Sequence, residues 1–487
     1  MNANIPITML NEPQKTPPIY LTQLHRPIQT SELCAFYIPQ ELFVFEKEQQ
    51  YLYFAPQLFM WFVTNSLGHQ ILCLLFEGNP QTEIAKQLLT NFEELDCTLQ
   101  ELDEFVSSFI DGVLQYGLLS KKPFEKPMIP HVMAEHPYVL YLHLTERCNL
   151  TCDYCYNENH REDLRKSGAP RGSLESFQAI IDDAVSLGIE EIKLTGGEVL
   201  MNKNAVELAK YAHQKGLKVN FMTNATLLKD EHIDALDGYV NAYSISLDAA
   251  DETLNDKIRG KGSYKKAVEN IKKIKARGTY VHLNGVITRS NLDNVEELLT
   301  FAYDELEANK VTVAPNTFYQ QATGSTIQME HLVLDRNDML TVREQEQKFY
   351  DGRFNPNYNT SEVFGTSCGA GNGVISVDSN GDVFPCQTMH TPSMKCGNAF
   401  ETSLIDVYET SSRLKSVREL SVDKVERCSE CAMRYICSGG CRNEAVTNSG
   451  NIAAGLTRSC NYNFSSAINQ LWELATKEAP EHVCNDC

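Results

Sequence analysis

Three cysteines fall within residues 148–155, CNLTCDYC: Cys148, Cys152 and Cys155, with Tyr154 just before the last. A pair of thiols suits redox exchange, and four suit tetrahedral zinc. Three thiols at the spacing C-x3-C-x2-C, directly after the strand-like VLYLHLT, suggest a metal site left incomplete. A [4Fe–4S] cube normally takes four thiolates, so three would leave one iron open to a chelating ligand such as an amino acid's amine and carboxylate. A zinc or redox loop is the competing reading.

The other cysteines extend the argument. Of sixteen in 487 residues, none lies between Cys155 and Cys368, and ten follow from Cys368 onwards. Cys368, Gly381 and Cys386 precede the run CSECAMRYICSGGC, which places Cys428, Cys431, Cys437 and Cys441 at C-x2-C-x5-C-x3-C, with Cys460 further on. In a chain this long, metal thiolates are a better reading than a disulfide framework. A zinc ribbon is the alternative here. Cys73, in GHQILCLLF, reads as a small buried apolar residue.

Formal charge is −21, against a general nucleic-acid or anionic-membrane binder. No apolar run approaches the length needed to span a bilayer, and no secretion signal opens the sequence, so a cytoplasmic protein is expected.

Six strand-like segments, VLYLHLT, EIKLT, KVNFMTN, AYSISLD, VHLNGVIT and KVTVAPN, alternate with helical stretches such as LESFQAIIDDAVSLG and YKKAVENIKKIKARG between about 138 and 320. This is an α/β pattern implying a parallel sheet, wound open or as a partial barrel, with ligands at the C-terminal strand ends. The notable motifs fall at such ends. Ahead of it, residues 37–120 read as a small α+β module. Its strands are LFVFE, QYLYFA and LFMWFVT, and in its third helix Leu102, Phe105, Val106, Phe109, Val113 and Leu114 recur at helical spacing.

On these residues the chain resembles the radical SAM superfamily, whose signature is C-x3-C-x2-C with an aromatic before the last cysteine. The resemblance implies a partial (β/α)6 TIM barrel over 138–320. It implies S-adenosylmethionine (SAM) chelated to the open iron and cleaved reductively to a 5′-deoxyadenosyl radical. LTGGEVL resembles the Gly-Gly-Glu segment that holds the methionine amine of SAM, here Gly196, Gly197 and Glu198; Val199 replaces the usual proline. Ser246 and Arg259 match the positions that hold ribose and carboxylate, with Asp248 ordering their loop, and Thr223 and Asn224 line the site. A surface salt bridge is the plainer role for Arg259.

The C-terminal array resembles the SPASM extension of radical SAM peptide and protein maturases, placed at 368–470. That implies two auxiliary [4Fe–4S] clusters besides the radical SAM one: Cys428, Cys431, Cys437 and Cys460 hold the outer, Cys368, Cys386 and Cys441 the inner. Cys396, an open site or the tail cysteines Cys484 and Cys487 would complete the inner set. Sulfatase maturases carry an acidic base after the inner-cluster cysteine; Gln387 stands there, which weakens that activity for this chain.

The N-terminal module resembles PqqD-like, winged-helix-like recognition domains of peptide modification systems, which bind a leader peptide as an added strand. A dimerisation domain is the structural alternative. The expected organisation is an extension (1–36), this module (37–120), a linker (121–137), the barrel, a connecting segment (321–367), the SPASM region and a tail (471–487). The expected function is radical crosslinking of a ribosomal precursor peptide, thioether first and carbon–carbon second, with a flavodoxin- or ferredoxin-type electron donor. Maturation of a protein or small molecule, and a non-catalytic zinc-stabilised peptide scaffold, are the alternatives.

Overall fold

A computed structural model describes residues 19–20, 28–31, 34–92, 95–124, 129, 131, 133–155, 172–317, 332–356, 364–455 and 459–477. The tail cysteines Cys484 and Cys487 lie outside these residues. The chain divides into two units: Met1–Pro130 with Cys431–Tyr435 and Ile468–Cys487, and His131–Glu430 with Ile436–Ala467.

In the first unit, β1 (Ile19–Tyr20), β4 (Phe43–Lys47), β5 (Gln50–Ala55) and β6 (Met60–Asn65) form an antiparallel sheet in that order. β2 (Ile28–Ser31) and β3 (Cys34–Phe36) pair separately. Three helices follow: α1 (Ser66–Phe76), α2 (Gln81–Asn91) and α3 (Leu99–Tyr116). Val106, Ile110 and Val113 of α3 recur at helical spacing and bury against Ile71, Leu75, Ile84 and Leu88. The start of α3 is fixed by a reciprocal cap, Glu101 N donating to Thr98 Oγ1 at 3.3 Å and Thr98 N to Glu101 Oε2 at 2.8 Å. Gly117, at φ 98°, stops it.

The strand expected over 58–64 begins two residues later. Pro56–Leu58 form a 3-10 turn and Phe59 is left-handed, at φ 50°. Gly68 brings α1 close to β6 and α3, since a Cβ there would lie 1.9 Å from Thr64 Oγ1 and 2.9 Å from the Phe109 ring. Cys73 is only partly buried, with its sulfur 3.5 Å from His69 Nε2.

In the second unit, β7 (Val139–His143), β8 (Glu191–Thr195), β9 (Lys218–Thr223), β10 (Ala242–Ser246), β11 (Tyr280–Ile287) and β12 (Lys310–Pro315) run parallel in sequence order. They alternate with α4 (Leu174–Ser186), α5 (Ala205–Gln214), α6 (Asp230–Leu236), α7 (Glu252–Arg259), α8 (Ser263–Ala276) and α9 (Val295–Thr300). The six strands are those read from the sequence. Leu140, Leu142, Ile192, Leu194, Val219 and Phe221 are fully buried, in one core with the helix residues Ile180, Ile181, Leu208 and Ala212. The alternate positions Tyr141, Lys193, Asn220 and His282 therefore face the barrel interior.

The sheet continues beyond the expected barrel. β13 (Val374–Val377) pairs parallel with β7, and β14 (Asp382–Phe384) and β15 (Gly397–Asn398) add antiparallel. Among the described residues the cysteine-rich region thus shares one nine-stranded sheet with the barrel. No helix of the described residues is long and apolar enough to cross a membrane.

Candidate active site

The three-cysteine loop leaves β7 and lies against the Gly-Gly-Glu segment that leaves β8. Gly197 N donates to Thr145 O and Glu198 N to Arg147 O, both at 2.8 Å. Cβ atoms on Gly196 and Gly197 would each come within 2.4 Å of those same carbonyls, Thr145 O and Arg147 O. The glycines are needed because the two loops touch backbone to backbone.

Glu198 is 1% exposed. Its carboxylate accepts from Thr223 Oγ1 at 2.7 Å, Asn224 N at 2.8 Å and Leu200 N at 3.3 Å. Burial raises its pKa, while these donors and Arg259 oppose the rise. A carboxylate has about four acceptor positions, so one remains. Asn224 reaches the cysteine loop, Nδ2 lying 3.1 Å from Asn149 Oδ1 and 3.9 Å from Cys148 Sγ. Glu198 and Asn224 thus reach the loop directly, and Thr223 is tied to it through Glu198. Ser246 ends β10 on the same rim.

Arg259 is no surface residue. It is 8% exposed, and its Nη1 donates to Asp248 Oδ2 at 3.0 Å and to Tyr154 Oη, which itself donates to Asp248 Oδ2. Asp248 also accepts from Val286 N at 2.9 Å and so ties β11 to the loop. Burial pushes the Cys152 thiol up to about 11; the Arg259 cation opposes this, and Asp248, Cys155 and Cys148 add to it. Cys148 and Cys155 thus both act on Cys152, and three thiols are the donor number that leaves one iron of a [4Fe–4S] cube open.

A second group forms from distant positions. Burial pushes Cys441 up to about 12, and Cys368 and Cys386 raise it further. Cys386 is raised by burial and by Cys368, against hydrogen bonds from Thr388. Cys396 is not brought to this group. Its thiol donates to Met394 O at 3.4 Å, and the groups acting on it are Ser411 and Arg413. After β14 the chain turns it toward the barrel core. Cys428 opens a 3-10 turn, Cys437 ends a short helix begun at Arg434, and Cys460 begins the helix Cys460–Lys477. Cys431 lies in the segment 431–435 of the first unit.

Residues 142–302 match the Radical SAM superfamily model, and 368–432 match the model of an iron–sulfur cluster-binding domain, SPASM. The chain carries a radical SAM domain. It is an S-adenosylmethionine-dependent enzyme with iron–sulfur cluster-binding regions. Among relatives, it is 26% identical over 355 residues to PqqA peptide cyclase of Bradyrhizobium diazoefficiens, covering 70% of this chain and 89% of that one. It is 29% identical over 383 residues to Fe-coproporphyrin III synthase of Methanosarcina barkeri, covering 70% and 92%. The crystal structure of Streptococcus suis SuiB bound to S-adenosylmethionine shares its fold, with a TM-score of 0.52 at 18% identity over 87% of this chain and 99% of that one.

Sequence reading passed over the polar residues inside the radical SAM barrel, Lys193, Asn220, His282 and Lys310. The signal was present: Lys193, Asn220 and His282 interrupt apolar strands at alternate positions, and Lys310 opens one.

Proposed function

We propose that this radical SAM enzyme modifies a ribosomally made precursor peptide, crosslinking a core residue through a thioether or, second, a carbon–carbon bond. Two kinds of relative support the peptide: the cyclase of PqqA peptide, and SuiB, a fold neighbour solved with its precursor peptide SuiA. Cys148, Cys152 and Cys155 would hold the radical SAM cluster. Gly196, Gly197, Glu198, Thr223, Asn224, Ser246, Tyr154 and Arg259 would position the cofactor. When bound, the cluster and SAM would supply a 5′-deoxyadenosyl radical, the reagent needed to remove hydrogen from an unactivated carbon. The protein's part is placement. Glu198's remaining acceptor position suits an ammonium, and the Tyr154–Asp248–Arg259 group fixes the loop from beneath. Cys368, Cys386 and Cys441 would hold an inner auxiliary cluster with its fourth position open, and Cys428, Cys431, Cys437 and Cys460 an outer one.

The observation that supports leader binding by the PqqD-like module is a sheet edge that carries no further strand among the described residues. β1 covers β4, while among the described residues β6 pairs with β5 alone. Exposed edges invite an added strand. Beside this edge Phe62 packs on Phe109 and Tyr116, with ring centroids 6.2 and 5.5 Å apart. Tyr116 Oη donates to Trp61 O, so the main-chain groups of Trp61 and, by strand alternation, Val63 face away from β5. Val63→Pro should then lower leader affinity more than tenfold with the fold intact, whereas Phe62→Pro should disrupt the sheet itself.

The test is anaerobic reaction of the full chain with the short peptide encoded beside its gene, under dithionite and SAM. Loss of two hydrogens from the core peptide by mass spectrometry is expected. An unaltered peptide while 5′-deoxyadenosine accumulates would overturn the reading.

A further inference from the structure

The barrel interior holds basic groups that the SAM site does not use. Lys193 is the register partner of Tyr141 on β7 and Asn220 on β9, and its Nζ lies 5.1 Å from the centre of the Tyr141 ring. Glu191, on the same face two residues earlier, places Oε1 3.7 Å from Lys193 Nζ and accepts from Asn220 Nδ2 at 3.5 Å. Lys193 lies close enough to Lys310 and His282, on β12 and β11 of the same sheet, to act on both electrostatically. Lys310 of β12 is the register partner of His282, whose Nε2 lies 2.8 Å from Thr312 Oγ1.

The charges do not balance. Glu191 answers Lys193, but Lys310 forms no ion pair among the described residues. Burial and the like charge of Lys193 lower its pKa. His282 is lowered to about 4 by burial and then by Lys310 and Lys193. No carboxylate among the described residues acts on either group. Independently, Asn220 is 7% exposed and its Oδ1 accepts no hydrogen bond, a costly state for a buried polar atom. One ammonium lacks an anion, and one amide oxygen lacks a donor.

We propose that Lys310, Lys193, His282 and Asn220 form a pocket that anchors a carboxylate side chain of the peptide being modified. This rests on the peptide-modifying reading and deepens it. A peptide-borne acid satisfies both vacancies, its carboxylate meeting Lys310 and an adjoining backbone N–H meeting Asn220 Oδ1. A free carboxylate brings no N–H. His282 sits five residues before the end of β11, roughly 16 Å below the strand tips at ~3.3 Å per residue. The anchor therefore belongs to an acidic residue a few positions from the reacting carbon, not to that carbon's own residue.

The test titrates the anaerobically reconstituted full chain with three probes: N-acetyl-glutamate N-methylamide, its glutamine counterpart and inorganic phosphate. Calorimetry should show the glutamate probe binding at least tenfold more tightly than the glutamine probe. Lys310→Gln should abolish that preference, and Lys310→Arg should retain it within about threefold. Lys193→Gln should weaken binding less, because Glu191 already partners that lysine. Phosphate binding as tightly as the glutamate probe would make this a general anion site and overturn the peptide assignment. No preference for the glutamate probe in the wild type, or one that survives Lys310→Gln, would overturn the pocket. SAM cleavage without peptide by the wild type reads the radical reaction separately. Its absence in the wild type would sink the radical reading while leaving the titration interpretable.

Discussion

The two thiol groups of the second unit are built in opposite ways. Cys148, Cys152 and Cys155 share one short loop, and distant residues hold that loop: Gly197 and Glu198 from β8, Asn224 from β9, Asp248 and Arg259 from beyond β10. Cys368, Cys386 and Cys441 come from distant positions, and each is set by its own surroundings. Cys386 leans on Thr388, and Cys441 opens the helix Arg442–Ser449. Thiols contiguous in sequence need a tertiary clamp, whereas scattered thiols rely on the fold to gather them. Damage should follow that division.

The largest effect is expected where the clamp carries charge. Asp248→Ala leaves Arg259, with 9% of its side chain exposed, without its anion. Breaking such a buried pair costs about 3–5 kcal/mol. Melting should fall accordingly, and iron should leave the three-cysteine loop while the C-terminal iron stays. Equal loss from both groups would break the comparison.

Next comes backbone contact. Gly197→Ala places a Cβ 2.4 Å from Arg147 O and should lower SAM cleavage more than tenfold, read as 5′-deoxyadenosine. Gly112→Ala, in α3 with nothing within 4 Å, should instead stabilise by roughly 0.5–1 kcal/mol.

In the gathered group, Cys441→Ser should reduce iron per chain and block peptide modification, yet leave some uncoupled SAM cleavage. Cys396→Ala should leave the iron count unchanged. Iron loss from Cys396→Ala would return that residue to the ligand set.

The smallest effect is one of pH. Glu198's folded pKa lies above its ordinary 4.5 because of burial, so the folded state holds the proton more tightly. Its contribution to stability is therefore present at low pH and is lost as pH rises from about 4.5 through the raised value. Urea unfolding between pH 4.5 and 7 should show a shallower decline in Glu198→Gln than in the wild type. An unchanged slope would assign the pH dependence to other groups.

Much of this was legible in the linear chain. The six strands, the three-cysteine loop and the Gly-Gly-Glu segment could be read because their signals are local: two-residue alternation, fixed spacing, and residues that belong at strand ends. The same periodicity marked β4, β5 and β6 and the helix α3 in the first unit, but not β1–β3. Other features depended on which segments meet. That β1 covers β4 and leaves β6 open is a matter of pairing, and pairing joins residues far apart in sequence. The burial of Arg259 with Asp248 and Tyr154, the separation of Cys396 from its neighbours in sequence, and the extension of the barrel sheet by β13–β15 are of the same kind. So is the meeting of Lys193 and Lys310 inside the barrel. Each is ordinary in its own strand, and only the curvature of the folded sheet brings one ammonium within electrostatic reach of the other. Sequence fixes what a residue can do chemically, but charge balance and burial depend on its neighbours in space, and only the folded chain supplies those.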